Sequence, residues 1–259
     1  MAKTPRGKFV WYELMTTDTD AAKKFYTDVI GWKTQPFEHA QGMDYTRWMK
    51  GETPVGGLME LPEEARKGKV PPHWIGYVAV PDVDKTAARA KELGGRVIHG
   101  PADIPEIGRF AILADPQGAV IAVYKSSQES PQEEGEAEPG DVTWHELATT
   151  DWEGAFDYYA DLFGWEKQQA MDMGEGNMYQ MYGLGEKMIG GMYNKSDEQP
   201  GPPAWLYYIT IDDLDATVAR VKKDGGTIVV EPMEVPGGSR IAVGIDPYGA
   251  AFGLHEMAA

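Results

Sequence analysis

Phe9–Asp18 reads FVWYELMTTD, and Val142–Asp151 reads VTWHELATTD. The likeness runs beyond the quoted stretch: Trp11 falls on Trp144, Asp18 on Asp151 and Gly31-Trp32 on Gly164-Trp165, without a gap. Farther along, Val55-Gly56-Gly57 meets Ile189-Gly190-Gly191, and Pro71-Pro72 with Trp74 meets Pro202-Pro203 with Trp205. GRFAILADPQGA from Gly108 meets SRIAVGIDPYGA from Ser239, which sets Arg109 on Arg240 and Asp115-Pro116 on Asp246-Pro247. A self-similarity that holds its register over this length is the signature of a duplicated domain.

Each copy repeats internally as well. FVWYELMT alternates like a strand, and the segment after Asp18 places Ala21, Ala22, Phe25, Tyr26 and Val29 at helical spacing, with Gly31 as its stop. Three short strand-like runs follow, near Lys33–Phe37, Asp44–Lys50 and Val55–Leu61, broken by Gly and Pro. HWIGYVAV then begins the same order again, with a helix ended by Gly94-Gly95 and three more strands. The chain therefore divides into four strand-helix-strand-strand-strand (βαβββ) modules in two domains, residues 1–125 and 142–259. Between them residues 126–141, SSQESPQEEGEAEPGD, lack periodicity and have the composition of an acidic, flexible, solvated linker.

Composition narrows the function. With 24 Lys+Arg against 41 Asp+Glu, the net charge of −17 disfavours nucleic acid and anionic membrane as partners, since both call for clustered cations. The chain has no cysteine, so thiolate chemistry and cysteine metal sites are excluded. No apolar leader or membrane-length apolar run is present, and the expectation is a soluble cytoplasmic protein, monomer or homodimer.

The pattern D…A…FY…GW after the first strand and R…DPxGA before the last resembles the vicinal oxygen chelate superfamily of glyoxalases, bleomycin-resistance proteins and extradiol dioxygenases. The likeness covers nearly the whole chain outside the linker, and is strongest to tandem-domain, glyoxalase-like proteins of actinobacteria. It implies an α+β fold in which two modules pair curved sheets into a half-open barrel, with helices outside and ligand inside.

Metal enzymes of that superfamily carry a His, Gln or Glu on the first strand of each module and a Glu on the last. The matching positions here are Trp11, Ile75, Trp144 and Leu206, then Ala122 and Gly253, none of which binds a divalent cation. No metal and no cofactor is the resulting expectation. Strand alternation from those positions lines a first cavity with Trp11, Glu13, Met15, Ile75, Tyr77, Val120, Ala122 and Tyr124. It lines a second with Trp144, Glu146, Ala148, Leu206, Tyr208, Ala251, Gly253 and His255, and Ala122 and Gly253 leave room where metal-binding relatives have Glu. His145, one residue out of step, points to the opposite face.

The candidate ligand-binding residues are thus Trp11, Tyr77, Arg109, Tyr124, Trp144, Tyr208, Arg240 and His255, and the candidate catalytic residues are Glu13 and Glu146. Each Glu has two roles open to it: proton abstraction inside an apolar chamber, or a structural ion pair with Arg109 or Arg240, the commoner use of a buried carboxylate. The expected function is metal-independent binding of a small aromatic or carbonyl-containing molecule. The alternative is a glyoxalase-like lyase or isomerase with a cavity glutamate as general base. A metal oxygenase lacks its ligands.

Overall fold

The computed structural model describes residues 6–37, 44–128, 135–174 and 176–258. The first half runs β1 (Phe9–Thr16), α1 (Thr19–Ile30), β2 (Lys33–Pro36), β3 (Tyr45–Lys50), β4 (Thr53–Glu60), α2 (Glu63–Lys67), β5 (His73–Ala79), α3 (Val83–Glu92), β6 (Arg96–Ile104), β7 (Gly108–Ala114) and β8 (Val120–Ser126). The second runs β9 (Val142–Thr149), α4 (Trp152–Phe163), β10 (Glu166–Asp172), β11 (Met178–Leu184), β12 (Lys187–Asn194), β13 (Ala204–Thr210), α5 (Leu214–Lys223), β14 (Thr227–Glu234), β15 (Arg240–Ile245) and β16 (Ala251–Glu256). Apart from the one-turn helix α2, this is the four-module order that the repeat implies.

Each half supplies one eight-stranded mixed sheet, β2-β3-β4-β1-β5-β8-β7-β6 in the first and β10-β11-β12-β9-β13-β16-β15-β14 in the second. Both are open sheets among the described residues, not closed barrels. Pairing is parallel for β1 with β4 and β5 with β8, and antiparallel along the outer hairpins. The helices start where the sequence places them: Asp18, Asp82, Asp151 and Asp213 each accept a hydrogen bond from the third backbone N–H beyond, at 2.9–3.0 Å. Gly31 and Gly164 close α1 and α4 in the left-handed conformation, at φ of 87° and 73°.

The compact units cut across the halves. One comprises residues 11–75, 136–143 and 206–259; the other comprises 1–10, 76–135 and 144–205. In the first unit α1 packs on α5, and in the second α3 packs on α4. The FY and DP motifs account for this exchange. Trp74 Nε1 donates to the Tyr26 hydroxyl at 2.9 Å, and that hydroxyl donates to Asp246 at 3.2 Å. In the other unit Trp205 donates to Tyr159 at 3.2 Å and Tyr159 to Asp115 at 3.0 Å. The remaining oxygen of each carboxylate accepts backbone N–H groups of its own turn, from Tyr248 and Ala250 or from Gly118 and Ala119. Burial raises both carboxyl pKa values above the ordinary range, and the backbone donors oppose the rise.

The same exchange recurs at the strand entrances. Trp32 donates to the carbonyl of Gly140, and Trp165 to that of Gly7. The acidic segment is accordingly shorter as a free linker than its composition suggests. Ser126 belongs to β8, and Glu138 and Asp141 are drawn onto Lys50 at 3.2 and 2.7 Å. Residues 129–134 of that segment lie outside the described residues.

A half expressed alone would present an unpaired Tyr donor and apolar helix faces to water. Residues 1–128 and 135–259 produced separately should be insoluble or self-associated, and produced together they should purify as one complex. Two monomeric halves, each unfolding cooperatively on its own, would show that the exchange is dispensable.

Candidate functional site

Trp11 and Glu13 lie two residues apart on β1 and so share a face. Tyr45 comes from β3, two strands away across β4, roughly 10 Å at ordinary strand spacing. Its ring crosses that distance because Gly57 on β4, directly opposite Glu13, has no side chain: a Cβ there would collide with the Tyr45 hydroxyl. The result is a hydrogen-bonded line in which Trp11 Nε1 donates to the Tyr45 hydroxyl at 2.9 Å and that hydroxyl donates to Glu13 Oε2 at 2.8 Å. Glu13 is buried, while Trp11 and Tyr45 are half-buried.

The second repeat builds the same line. Trp144 Nε1 donates to Tyr179 at 2.8 Å, Tyr179 donates to Glu146 Oε2 at 2.9 Å, and Gly191, opposite Glu146, clears the path of the Tyr179 ring. Burial first, and then the neighbouring glutamate charge, pushes the hydroxyl pKa of Tyr45 and Tyr179 well above the usual phenol range. Both tyrosines therefore remain protonated donors at neutral pH. Within each line the glutamate is the only group that can accept a proton there.

The two tyrosines were not among the residues singled out from sequence. Their signal was present in two places: Tyr45 and Tyr179 are equivalent across the repeat, and the paired glycines of VGG and IGG recur at the positions the rings cross.

The other candidates are placed differently. Arg109 and Arg240 do not pair with Glu13 and Glu146. Arg109 binds Asp84 through two nitrogens at 2.7 and 2.8 Å and Asp103 at 2.8 Å; Arg240 binds Asp215 twice at 3.0 Å and Glu256 at 3.1 Å. Both are solvent-facing pairs to the first turn of the preceding helix, α3 or α5, and contribute little to stability. The expected buried ion pair is thus replaced by a tyrosine-held carboxylate.

Tyr124 spends its hydroxyl on the carbonyl of Ile107 at 2.9 Å. Tyr77 is buried opposite Ala122 on β8. The absent side chain of Gly253 leaves no room, because the ring of Tyr208 occupies it. His255 is half-buried, with Nδ1 3.1 Å from the hydroxyl of Thr143, which also bonds Thr210. Burial lowers its pKa.

His145 turns into the core, as the one-residue offset from Trp144 requires. It stacks on Phe9 with ring centroids 3.8 Å apart, and its Nδ1 lies 2.6 Å from the carbonyl of Ile189.

The donor set does not fit a metal. Among the described residues no three of His, Cys, Asp and Glu come together in a way that could hold an ion. Nor does any helix of the described residues have the length and apolarity to cross a membrane.

Comparison with known proteins places this geometry in context. The family model described as Glyoxalase/Bleomycin resistance protein/Dioxygenase superfamily matches residues 8–123 and 142–254. The putative glyoxylase CFP32 of Mycobacterium tuberculosis is 33% identical over 254 residues, covering 96% of this chain and 94% of its own. The anthracycline biosynthesis protein DnrV of Streptomyces peucetius is 29% identical over 269 residues, covering 99% and 96%. Among solved structures, the Mn(II)-bound glyoxalase of Novosphingobium aromaticivorans superposes with a TM-score of 0.66 at 16% identity, covering 99% of this chain and 84% of that one. At that identity the likeness speaks for the fold alone.

The buried imidazole yields a pH test. Desolvation lowers the His145 pKa from 6.5 to about 4, so the unfolded chain takes up a proton before the folded one does. Stability is full above pH about 6.5 and falls as pH drops toward about 4, by about 3 kcal/mol from this group. Urea unfolding across that window should show a shallower acid loss in His145→Phe than in the parent. Equal slopes would mean that the ring is protonated in the folded protein.

Proposed function

The chain belongs to the glyoxalase/bleomycin resistance protein/dioxygenase superfamily, and we propose that it is a metal-independent member that binds a small aromatic or carbonyl-containing molecule at its two Trp–Tyr–Glu lines. One observation carries this reading: the same indole, hydroxyl and carboxylate are held in the same order in both repeats, with the indole left half-buried. A half-buried indole offers a flat apolar face, and the fixed hydroxyl and carboxylate beside it supply orientation. The side chains at the superfamily's ligand positions support independence from metal, since Trp, Ile, Leu, Ala and Gly offer no donor there. The name of the relative DnrV, an anthracycline biosynthesis protein, agrees with a planar aromatic ligand.

A second reading is favoured by the tyrosine-held carboxylate itself. Glu13 or Glu146 is oriented by a tyrosine hydroxyl in surroundings that exclude much water, as a general base would be, and could serve a glyoxalase-like isomerase or lyase.

The binding reading is tested with the neutral fluorophore N-phenyl-1-naphthylamine, titrated into protein dialysed against a chelator. Saturable binding at no more than two sites per chain is expected, with the same affinity before and after dialysis and no stoichiometric zinc, iron, nickel or manganese by elemental analysis. Affinity should fall about tenfold or more when Trp11 and Trp144 are both replaced by Leu. Binding that needs a metal ion would overturn the proposal.

Glu13→Gln and Glu146→Gln separate the two readings. A general base should lose about 10²-fold or more in turnover with affinity for the fluorophore and melting temperature nearly unchanged. A purely binding role shows no turnover to lose, in the parent or in either variant.

A further inference from the structure

We propose that the first repeat carries an oxyanion subsite at Arg47, beside its Trp–Tyr–Glu line, that the second repeat lacks; this rests on the small-molecule reading above. Arg47 follows Tyr45 by two residues on β3, so both side chains leave the same face, and it stands opposite Gly57, the residue that also faces Glu13. Its guanidinium is held in place from two sides. The Cζ lies 5.1 Å from the centre of the Phe37 ring, and Nη2 donates to Gln35 Oε1 at 2.5 Å. The group is close enough to Tyr45 for its charge to act on that hydroxyl.

One donor of this guanidinium is unused. The Nε–H of Arg47 is shielded from solvent and has no hydrogen-bond partner among the described residues. A buried donor left unpaired bears the whole cost of its desolvation, and at a rigid, planar cation that cost is removed by an acceptor oxygen, best by a charged one. Trp11 and Phe37 are both half-buried, Phe37 meets Tyr45 edge-on at 6.0 Å between ring centres, and the Arg47 cation beside them suits a planar molecule with an acidic oxygen. Carboxylate, sulfonate and phenolate share that chemistry. Glu13 would repel an anion set against it, so the acidic oxygen belongs at the Arg47 end of the site.

The second repeat has changed this corner. Met181 stands where Arg47 stands, opposite Gly191, and Met59 is replaced by Tyr193, which stacks on Tyr179 at 6.0 Å and bonds Gln199. That corner is polar, Met181 brings no cation to it, and it suits a neutral ligand. The two repeats therefore share the Trp–Tyr–Glu line and differ in the charge they ask of the ligand.

Two fluorophores with one skeleton test this: 8-anilinonaphthalene-1-sulfonate, which carries the acidic oxygens, and N-phenyl-1-naphthylamine, which lacks them. In the parent both should bind, and in Arg47→Met the ratio of sulfonate to neutral affinity should fall at least tenfold. Arg47→Lys keeps a charge but loses the planar Nε–H, and it should recover only part of that ratio. An unchanged ratio in Arg47→Met, or parental behaviour in Arg47→Lys, would overturn the subsite while leaving the binding reading intact. Failure of either fluorophore to bind the parent would also overturn it. Failure of both would remove the binding reading with it.

Discussion

In each compact unit a tyrosine hydroxyl stands between an indole N–H and an aspartate that is buried in a turn. Neither tyrosine is exposed at all, and neither aspartate could remain in the core without donors to meet it. The tyrosine comes from one half of the chain and the aspartate from the other. This single requirement couples the halves: α1 must find α5 and α4 must find α3, because only then are four buried polar side chains satisfied at once. The rings around them, Phe25 and Phe252 with Tyr26 in one unit and Phe163, Trp165 and Trp205 with Tyr159 in the other, fill the space about that line. Strands β1 and β9 are then carried into place with their Trp and Glu side chains fixed.

Much of this was legible in the residues. The repeat, the element order and the glycine stops follow from spacing and local chemistry, and the structure returns them with boundaries shifted by a residue or two. The helix α2, one turn of charged residues, has no buried face and so left no periodic signal. The exchange of modules was hidden for a different reason. Equivalence across a repeat shows that Tyr26 and Asp115 recur as Tyr159 and Asp246, yet it is silent on which copy of one meets which copy of the other.

The site was half legible on the same grounds. Alternation put Trp11 with Glu13 and Trp144 with Glu146, which needs only one strand. Finding Tyr45 and Tyr179 needed the order of strands and their register, since each ring crosses an intervening strand above a glycine. Of the two roles open to each glutamate, the ion pair with Arg109 or Arg240 is not formed, because those guanidinium groups take Asp84 and Asp215 at the helix starts. Arg47 against Met181 and Met59 against Tyr193 are differences between the repeats whose meaning appears only when the tyrosine lines are seen.

The central claim is that these two lines, rather than a metal centre, are where a small molecule is received. A crystal structure of the protein soaked with N-phenyl-1-naphthylamine tests it most directly. The aromatic rings should lie against Trp11, Trp144 or both, within hydrogen-bonding reach of the associated tyrosine or glutamate. Rings bound only elsewhere, with both lines left to water, would contradict the account.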